Sequence, residues 1–87
     1  MNITYHIEWD VRAYRELKAI ENKQAIIILN GVSKLTQDPL KNSKPLSGTF
    51  KGKYRLRVGD YRVLFWVNDK EKTVYVIAVG HRRDIYE

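Results

Sequence analysis

Residues 53–67 read KYRLRVGDYRVLFWV, two alternating segments on either side of Gly59-Asp60. Alternation of apolar with polar residues predicts strands that bury one face. Glycine at the first central position favours a two-residue type II′ turn. The stretch therefore predicts an antiparallel β-hairpin that pairs Lys53–Val58 with Tyr61–Val67.

The loop length fixes the cross-strand pairs and thereby sorts the side chains between the two faces of the hairpin. A two-residue loop pairs Val58 with Tyr61 and Arg57 with Arg62, and a four-residue loop gives the same pairs. The expected core face receives Leu56, Val58, Tyr61, Val63 and Phe65. The opposite face receives Arg55, Arg57, Arg62, Leu64 and Trp66.

The predicted pairing of Arg57 with Arg62 sets like charges opposite one another, which destabilises a sheet. A local rule broken in this way points to a function. An anionic ligand would supply the counter-charge, and guanidinium groups bind phosphate through two hydrogen bonds. The alternative interpretation is a solvated edge with carboxylates nearby.

The N-terminal third predicts one strand and two helices. Alternation over residues 2–9 predicts the strand, with His6 on its polar side. Asp10 is a typical N-cap for a helix from Val11 to about Ile20. The apolar stripe of that helix comprises Ala13, Tyr14, Leu17 and Ile20.

Asn22 can cap a second helix that runs to about Gln37, before Pro39 disfavours helical geometry at Asp38. Its β-branched run, residues 26–28, is also compatible with a strand, but the apolar spacing is helical over three turns. Gly31 in its interior costs about 1 kcal/mol relative to alanine. The expected core face comprises Ala25, Ile28, Leu29, Val32 and Leu35.

The remaining segments complete the pattern. Residues 38–52 are rich in Pro, Gly, Ser and Lys and predict a loop, and residues 68–72 predict a polar turn. Thr73–Val79 is nearly all apolar and predicts a central strand that Gly80 ends. The order strand–helix–helix–meander predicts one α+β domain over residues 1–87, with a three-stranded antiparallel meander and both helices on one face of the sheet.

The net charge of +6 is concentrated in one part of the chain. Residues 41–62 carry seven basic side chains and one acid, whereas the charges of the other 65 residues balance. Solubility does not require such clustering, so the pattern favours a nucleic acid or an acidic protein as partner. The basic residues are Lys41, Lys44, Lys51, Lys53, Arg55, Arg57 and Arg62.

Several classes of protein do not fit the sequence. The chain has no cysteine, which excludes disulfides and Cys-ligated zinc. Its N-terminus lacks the features of a signal peptide, and no apolar run approaches the roughly 20 residues of a membrane helix. We therefore expect a cytoplasmic protein. Neither a metal nor a cofactor is expected, since no P-loop, GxGxxG, HExxH or carboxylate cluster for Mg²⁺ is present.

The C-terminal run Gly80-His81-Arg82-Arg83-Asp84-Ile85-Tyr86 adds charge and an aromatic ring. Arg82 and Arg83 follow the last strand directly, and Tyr86 can stack on a base. His81 is either an acid or base near neutral pH or a solvated loop residue.

The runs Leu46-Ser47-Gly48, YRLRVGDYRVL at 54–64 and VGHRRDIY at 79–86 together resemble the RelE/ParE superfamily of toxins, and RelE most closely. The resemblance implies a RelE-like fold and a toxin of a type II toxin–antitoxin system. It implies an mRNA interferase that works without metal in the ribosomal A site, where the ribose 2′-hydroxyl attacks the adjacent phosphate. It also implies a RelB-like antitoxin that covers the basic face.

The resemblance also implies roles for particular residues. Arg62 matches the sheet arginine that stabilises the transition state, Arg82 the arginine that serves the leaving group, and Tyr86 the tyrosine that orients the base. His81 is a candidate acid or base, because related toxins use a histidine near the C-terminus. The expected catalytic residues are thus Arg62, Arg82, Tyr86 and His81.

Arg55 and Arg57 stand where the best-studied RelE carries two lysines, and an arginine cannot serve as a general base. These two are therefore expected to bind phosphate. The expected phosphate-binding residues are Lys51, Lys53, Arg55, Arg57 and Arg83. Two other functions stay open: a ParE-like gyrase-inhibiting toxin without nuclease activity, and a non-catalytic RNA-binding module that uses Trp66, Tyr86 and the arginines.

Overall fold

The computed structural model describes residues 4–85. In this range the chain forms β1 (His6–Trp9), α1 (Val11–Lys18), α2 (Asn22–Ser33), β2 (Ser43–Pro45), β3 (Tyr54–Val58), β4 (Tyr61–Asn68) and β5 (Thr73–His81). Short 3₁₀ turns follow α2 at Lys34–Thr36 and precede β3 at Gly48–Phe50. Neither helix has the length and apolar character that a bilayer crossing requires within these residues.

The strands form one sheet in the order β1-β5-β4-β3-β2. β1 runs parallel to β5, and the other neighbours are antiparallel. The predicted α+β class is confirmed. The predicted loop at 38–52 is wrong in one respect, because Ser43–Pro45 pairs with β3 as a fifth strand. Pro45 is tolerated there because an edge strand leaves one side unpaired.

The β3–β4 hairpin has the predicted register, from Val58 opposite Tyr61 to Tyr54 opposite Phe65. Gly59 has a φ of 58°. A positive φ at the first central position matches a type II′ turn, which a residue with a Cβ adopts at a cost.

Both helices cover the predicted core face. Phe65 and Val63 are fully buried, together with Ala13 of α1 and Ile28 of α2. A Cβ added at Gly31 would lie 2.9 Å from a methyl carbon of Val58, so α2 approaches β3 too closely for alanine. This contact explains a glycine inside the helix.

The helices differ from the prediction at their ends and margins. α1 ends at Lys18, and α2 ends at Ser33 before the 3₁₀ turn. Asp10 caps α1 as predicted, since its carboxylate accepts a hydrogen bond from the Arg12 amide at 3.1 Å. Glu21, and not Asn22, stands at the N-cap of α2. Tyr14 and Leu29, which were expected in the core, are exposed because they lie at the margins of their stripes.

Strand β5 carries one extra residue relative to β4. Phe65 pairs with Val76 and Leu64 pairs with Ala78, so Ile77 has no partner of its own. A bulge of this kind shifts the alternation of all later residues by one. As a result Gly80 lies opposite Arg62, and His81 lies opposite Tyr61.

Candidate nucleic-acid interface

The face of the sheet away from the helices gathers the predicted arginines, and we call it the arginine face. Arg57 lies opposite Arg62, and Arg55 lies opposite Leu64. Their exposure is graded: Arg57 is exposed, Arg55 is half-buried, and Arg62 is only 8% exposed. The face therefore offers one freely accessible guanidinium beside one that is fixed in the protein.

Arg62 is held by the hairpin turn itself. Its Nη1 donates hydrogen bonds to the carbonyl oxygens of Gly59 and Tyr61, at 3.2 and 3.1 Å. These carbonyl dipoles offset part of the repulsion from Arg57. They also fix the orientation of the Arg62 guanidinium, which suits the stabilisation of a charge that develops nearby.

The C-terminal turn returns to the same end of the arginine face. The Arg82 amide donates to the Asp60 carbonyl at 2.8 Å, and Arg82 Nε lies 4.0 Å from an Asp60 carboxylate oxygen. A Cβ added at Gly80 would lie 3.5 Å from Ile85 Cβ, so Ile85 packs over Gly80 on the side of Arg62. Arg82 is thereby brought to the hairpin turn beside the arginine face.

His81 is not brought to the arginine face. Its ring makes an edge-on contact with the Tyr61 ring, with centroids 5.5 Å apart and planes at 81°. Tyr61 belongs to the face that the helices cover, so His81 lies across the sheet from Arg62. Its Nδ1 accepts a hydrogen bond from the Arg83 amide at 3.2 Å, which requires a lone pair on that nitrogen.

The other predicted site residues are dispersed. Lys51 and Arg83 are exposed, and Lys53 is half-buried just before β3. Tyr86 lies outside the described residues. Lys44, which was expected in a loop, lies opposite Arg55 on β2 and extends the basic surface to the edge of the sheet. A strand of three residues is too short for a periodicity to reveal it.

Neither of two grooves that adjoin the sheet in the described residues gathers the three arginines. One, of about 690 Å³, lies between α2 and β3, where Arg57 lines it beside Leu56 and Val58. The other, of about 780 Å³, lies between α1, β5 and the C-terminal turn, reaches Leu64 and Gly80 of the arginine face, and carries Asp10, Glu16 and other acids. The arginine face is partly covered, since Arg62 and Leu64 are buried whereas Arg57 and Trp66 are exposed. Exposed charge spread over such a surface suits an extended polyanion better than an enclosed small molecule.

Comparisons with known proteins find relatives that match nearly the whole chain. The family model for the ParE toxin of the type II toxin–antitoxin system parDE matches residues 7–86. Toxin RelG of Mycobacterium tuberculosis is 31% identical over 83 residues, which cover 94% of this chain and 95% of RelG.

Solved structures give the same picture. A chain in the crystal structure of the toxin–antitoxin complex RelBE2 from Mycobacterium tuberculosis superposes with a TM-score of 0.86 at 27% identity, covering 92% of this chain and 100% of that chain. The intact RelBE toxin–antitoxin complex of E. coli gives a TM-score of 0.74 at 26% identity, covering 88% of this chain and 95% of that chain.

Proposed function

Because this chain belongs to the ParE toxin family of type II toxin–antitoxin systems, we propose that it is a ribosome-dependent endoribonuclease that cuts translated mRNA in the A site. The observation that carries the proposal is the arrangement of Arg57 and Arg62. An accessible guanidinium lies directly opposite one that the turn carbonyls hold in place. That pair can bind a phosphodiester and stabilise added negative charge on it.

In the proposed reaction the ribose 2′-oxygen attacks the adjacent phosphorus, and the bond from phosphorus to the 5′-oxygen breaks. The products are a 2′,3′-cyclic phosphate and a 5′-hydroxyl. The attacking hydroxyl loses its proton to a water molecule, the leaving oxygen takes a proton from another, and the phosphorane carries additional negative charge between these events. The step needs no metal ion in this scheme, because guanidinium groups supply the positive charge.

We assign the roles by position. Arg62 stabilises the phosphorane, since its guanidinium is fixed before substrate arrives. Arg57 and Arg55 bind the scissile and neighbouring phosphates. Arg82, which is tethered to Asp60, serves the leaving oxygen by charge. All of these residues act by charge, because arginine stays protonated, and His81 is left out because it lies on the other face.

The proposed regulator is a RelB-like antitoxin that covers the basic surface with an acidic segment. The chains of RelBE2 and of E. coli RelBE that resemble this chain were solved in toxin–antitoxin complexes. The cluster of positive charge between residues 41 and 62 is complementary to such a segment. We expect the antitoxin to inhibit cleavage, and we expect its binding to weaken as salt concentration rises.

The match to a family model described as a ParE toxin favours a second candidate function. A ParE-like toxin would inhibit gyrase through protein contacts and would not cut RNA. The same fold serves either activity, since function depends on the site and not on the fold.

Expression of the toxin without antitoxin, followed by primer extension on translated mRNAs, tests these functions against each other. We expect discrete cuts within codons from the wild-type protein. Lys70→Ala is the matched control, because it removes one exposed positive charge in the turn between β4 and β5. A DNA-damage response without mRNA cuts would favour gyrase inhibition, and intact RNA that stays bound would favour an RNA-binding module.

A further inference from the structure

Trp66 and Tyr75 form an aromatic stack on the arginine face. They lie opposite one another on β4 and β5, with ring centroids 4.5 Å apart and planes at 13°. Trp66 is 37% exposed. Trp66 shares the face of Arg62 by alternation along β4, and the extra residue Ile77 keeps Tyr75 on the same face as Ala78 and Gly80.

The geometry of the stack directs one side of the indole towards β3. The centroid distance is close to the spacing of neighbouring strands, about 4.8 Å. The two rings therefore stack face to face, with Trp66 above β4 and Tyr75 above β5. The side of Trp66 turned away from Tyr75 therefore points towards β3. On this face β3 carries Arg55 and Arg57, and alternation places Lys53 in the same row as Trp66.

The other side of the stack is acidic. Glu8 lies opposite Tyr75 on β1, and the Tyr75 hydroxyl donates to Glu71 Oε1 at 3.3 Å. The pKa of Tyr75 is raised, first by desolvation of its hydroxyl and to a smaller extent by the negative charge of Glu71. A polyanion that crosses this face is therefore repelled from β1 and attracted to β3, where the exposed side of the indole lies.

We propose that the Trp66–Tyr75 stack binds an unpaired base of the single-stranded RNA whose phosphate lies at Arg62. The inference rests on the proposed nuclease function and adds to it a second contact with the substrate. Trp66 lies four positions after Arg62 on β4, about 13 Å along the strand. The base bound at Trp66 is thus a few nucleotides from the cleaved bond, and its backbone follows the basic side chains of β3. Aromatic side chains beside a basic track are the usual means of holding single-stranded RNA.

The fluorescence of Trp66 gives a direct test. The other tryptophan, Trp9, packs against the core cluster, and Trp9→Phe makes Trp66 the only reporter. The ligand is a short single-stranded RNA with a 2′-deoxyribose at the cleaved position, so that it binds without being cut. We expect the RNA to quench the indole emission and the same sequence in a duplex to leave it unchanged, because paired bases are not available for stacking.

Affinity measurements complete the test, with circular dichroism as a check of folding. We expect Trp66→Ala to weaken RNA binding about 5- to 150-fold, the range for loss of one base–aromatic stack. Trp66→Phe should restore much of that loss.

If Trp66→Ala binds RNA as tightly as the wild type while Arg62→Ala does not, the base contact is refuted and the nuclease proposal stands. If neither variant affects binding or cleavage, the nuclease proposal fails as well. Quenching by an acidic peptide, but not by RNA, would assign the stack to a protein partner and overturn the inference.

Discussion

The β3–β4 hairpin is regular over its whole length, whereas β5 carries one extra residue relative to β4. In the hairpin each side chain lies on the face that simple alternation assigns to it, so Arg55, Arg57 and Arg62 share one surface. In β5 the unpaired Ile77 shifts the alternation, so each later side chain lies on the face opposite to the one that counting along the strand predicts. A functional residue near the end of a strand is thus located by the register around it and not by counting from the start of the strand.

This difference separates two residues of the C-terminal motif. If β5 were regular from Tyr75 onwards, His81 would share the face of Tyr75 and Trp66. Because of the bulge, Gly80 instead lies on the arginine face opposite Arg62, and His81 lies on the other face, where it contacts Tyr61. Glycine there leaves space on the arginine face, and Ile85 fills part of it.

Two single-residue deletions in β5 would have the largest effect. Val74 is fully buried in the regular part of the strand. Its deletion would turn the side chains on one side of the deleted position to the opposite face of the sheet and should abolish cooperative unfolding. Deletion of Ile77 removes only the bulge and leaves Ala78 opposite Leu64. That variant should fold and lose on the order of 1 kcal/mol, because the side chain is half-buried. Thermal unfolding followed by circular dichroism measures both, and an equally severe loss of folding in the two deletions would contradict the bulge.

Truncation of Arg62 and of His81 tests the same separation by function. Arg62→Ala should lose on the order of 10²–10³ in the rate of mRNA cleavage, as for removal of one preorganised charge donor. His81→Ala should lose less than the roughly 10²–10⁴-fold that a general acid or base contributes. Cleavage of translated mRNA by purified variants gives both rates.

The variants need a check of folding, because Arg62 is buried and its removal leaves two carbonyl groups without this donor. Arg62→Lys keeps the charge and separates the catalytic effect from the structural one. A larger loss from His81→Ala than from Arg62→Ala would place the chemistry on the other face of the sheet.

Gly31→Ala probes the packing of α2 against the hairpin. Alanine is the better helix former by about 1 kcal/mol, but its Cβ would meet a methyl group of Val58 at 2.9 Å. We expect the clash to dominate and the free energy of unfolding to fall by about 1–3 kcal/mol, the usual cost of overpacking. The double variant with Val58→Ala should show a favourable coupling energy in urea unfolding, and additive effects would exclude the contact.

Asp60→Asn should have the smallest effect. It removes the 4.0 Å ion pair with Arg82 between two exposed side chains, a contact expected to contribute about 0–1 kcal/mol. The hydrogen bond from the Arg82 amide to the Asp60 carbonyl is retained. The free energy of unfolding should therefore change little, and at high salt concentration Asp60→Asn and the wild type should be equally stable. A loss of cleavage as large as that of Arg82→Ala would instead make the carboxylate essential for holding the tail.

The register of the hairpin could be predicted because its two strands alternate around a glycine that the turn requires, whereas the outer ends of both strands differ from the prediction by one residue. The bulge could not, because Val76, Ile77 and Ala78 are all apolar and give no alternation that a shift could interrupt. Strand β2 was missed because three residues carry no period and Pro45 is atypical of a strand. The burial of Arg62 was not predicted either, because the carbonyl groups that hold it are backbone atoms, which composition does not reveal.

The end groups of the cleaved RNA test the central claim, that the arginine face stabilises attack by the neighbouring 2′-hydroxyl. Mass spectrometry of a translated mRNA cut by the purified toxin should find a 2′,3′-cyclic phosphate and a 5′-hydroxyl. A 2′-deoxyribose at the cut position should abolish the products. A 5′-phosphate, or cleavage of the 2′-deoxy substrate, would show that a water molecule is the nucleophile and would contradict the mechanism.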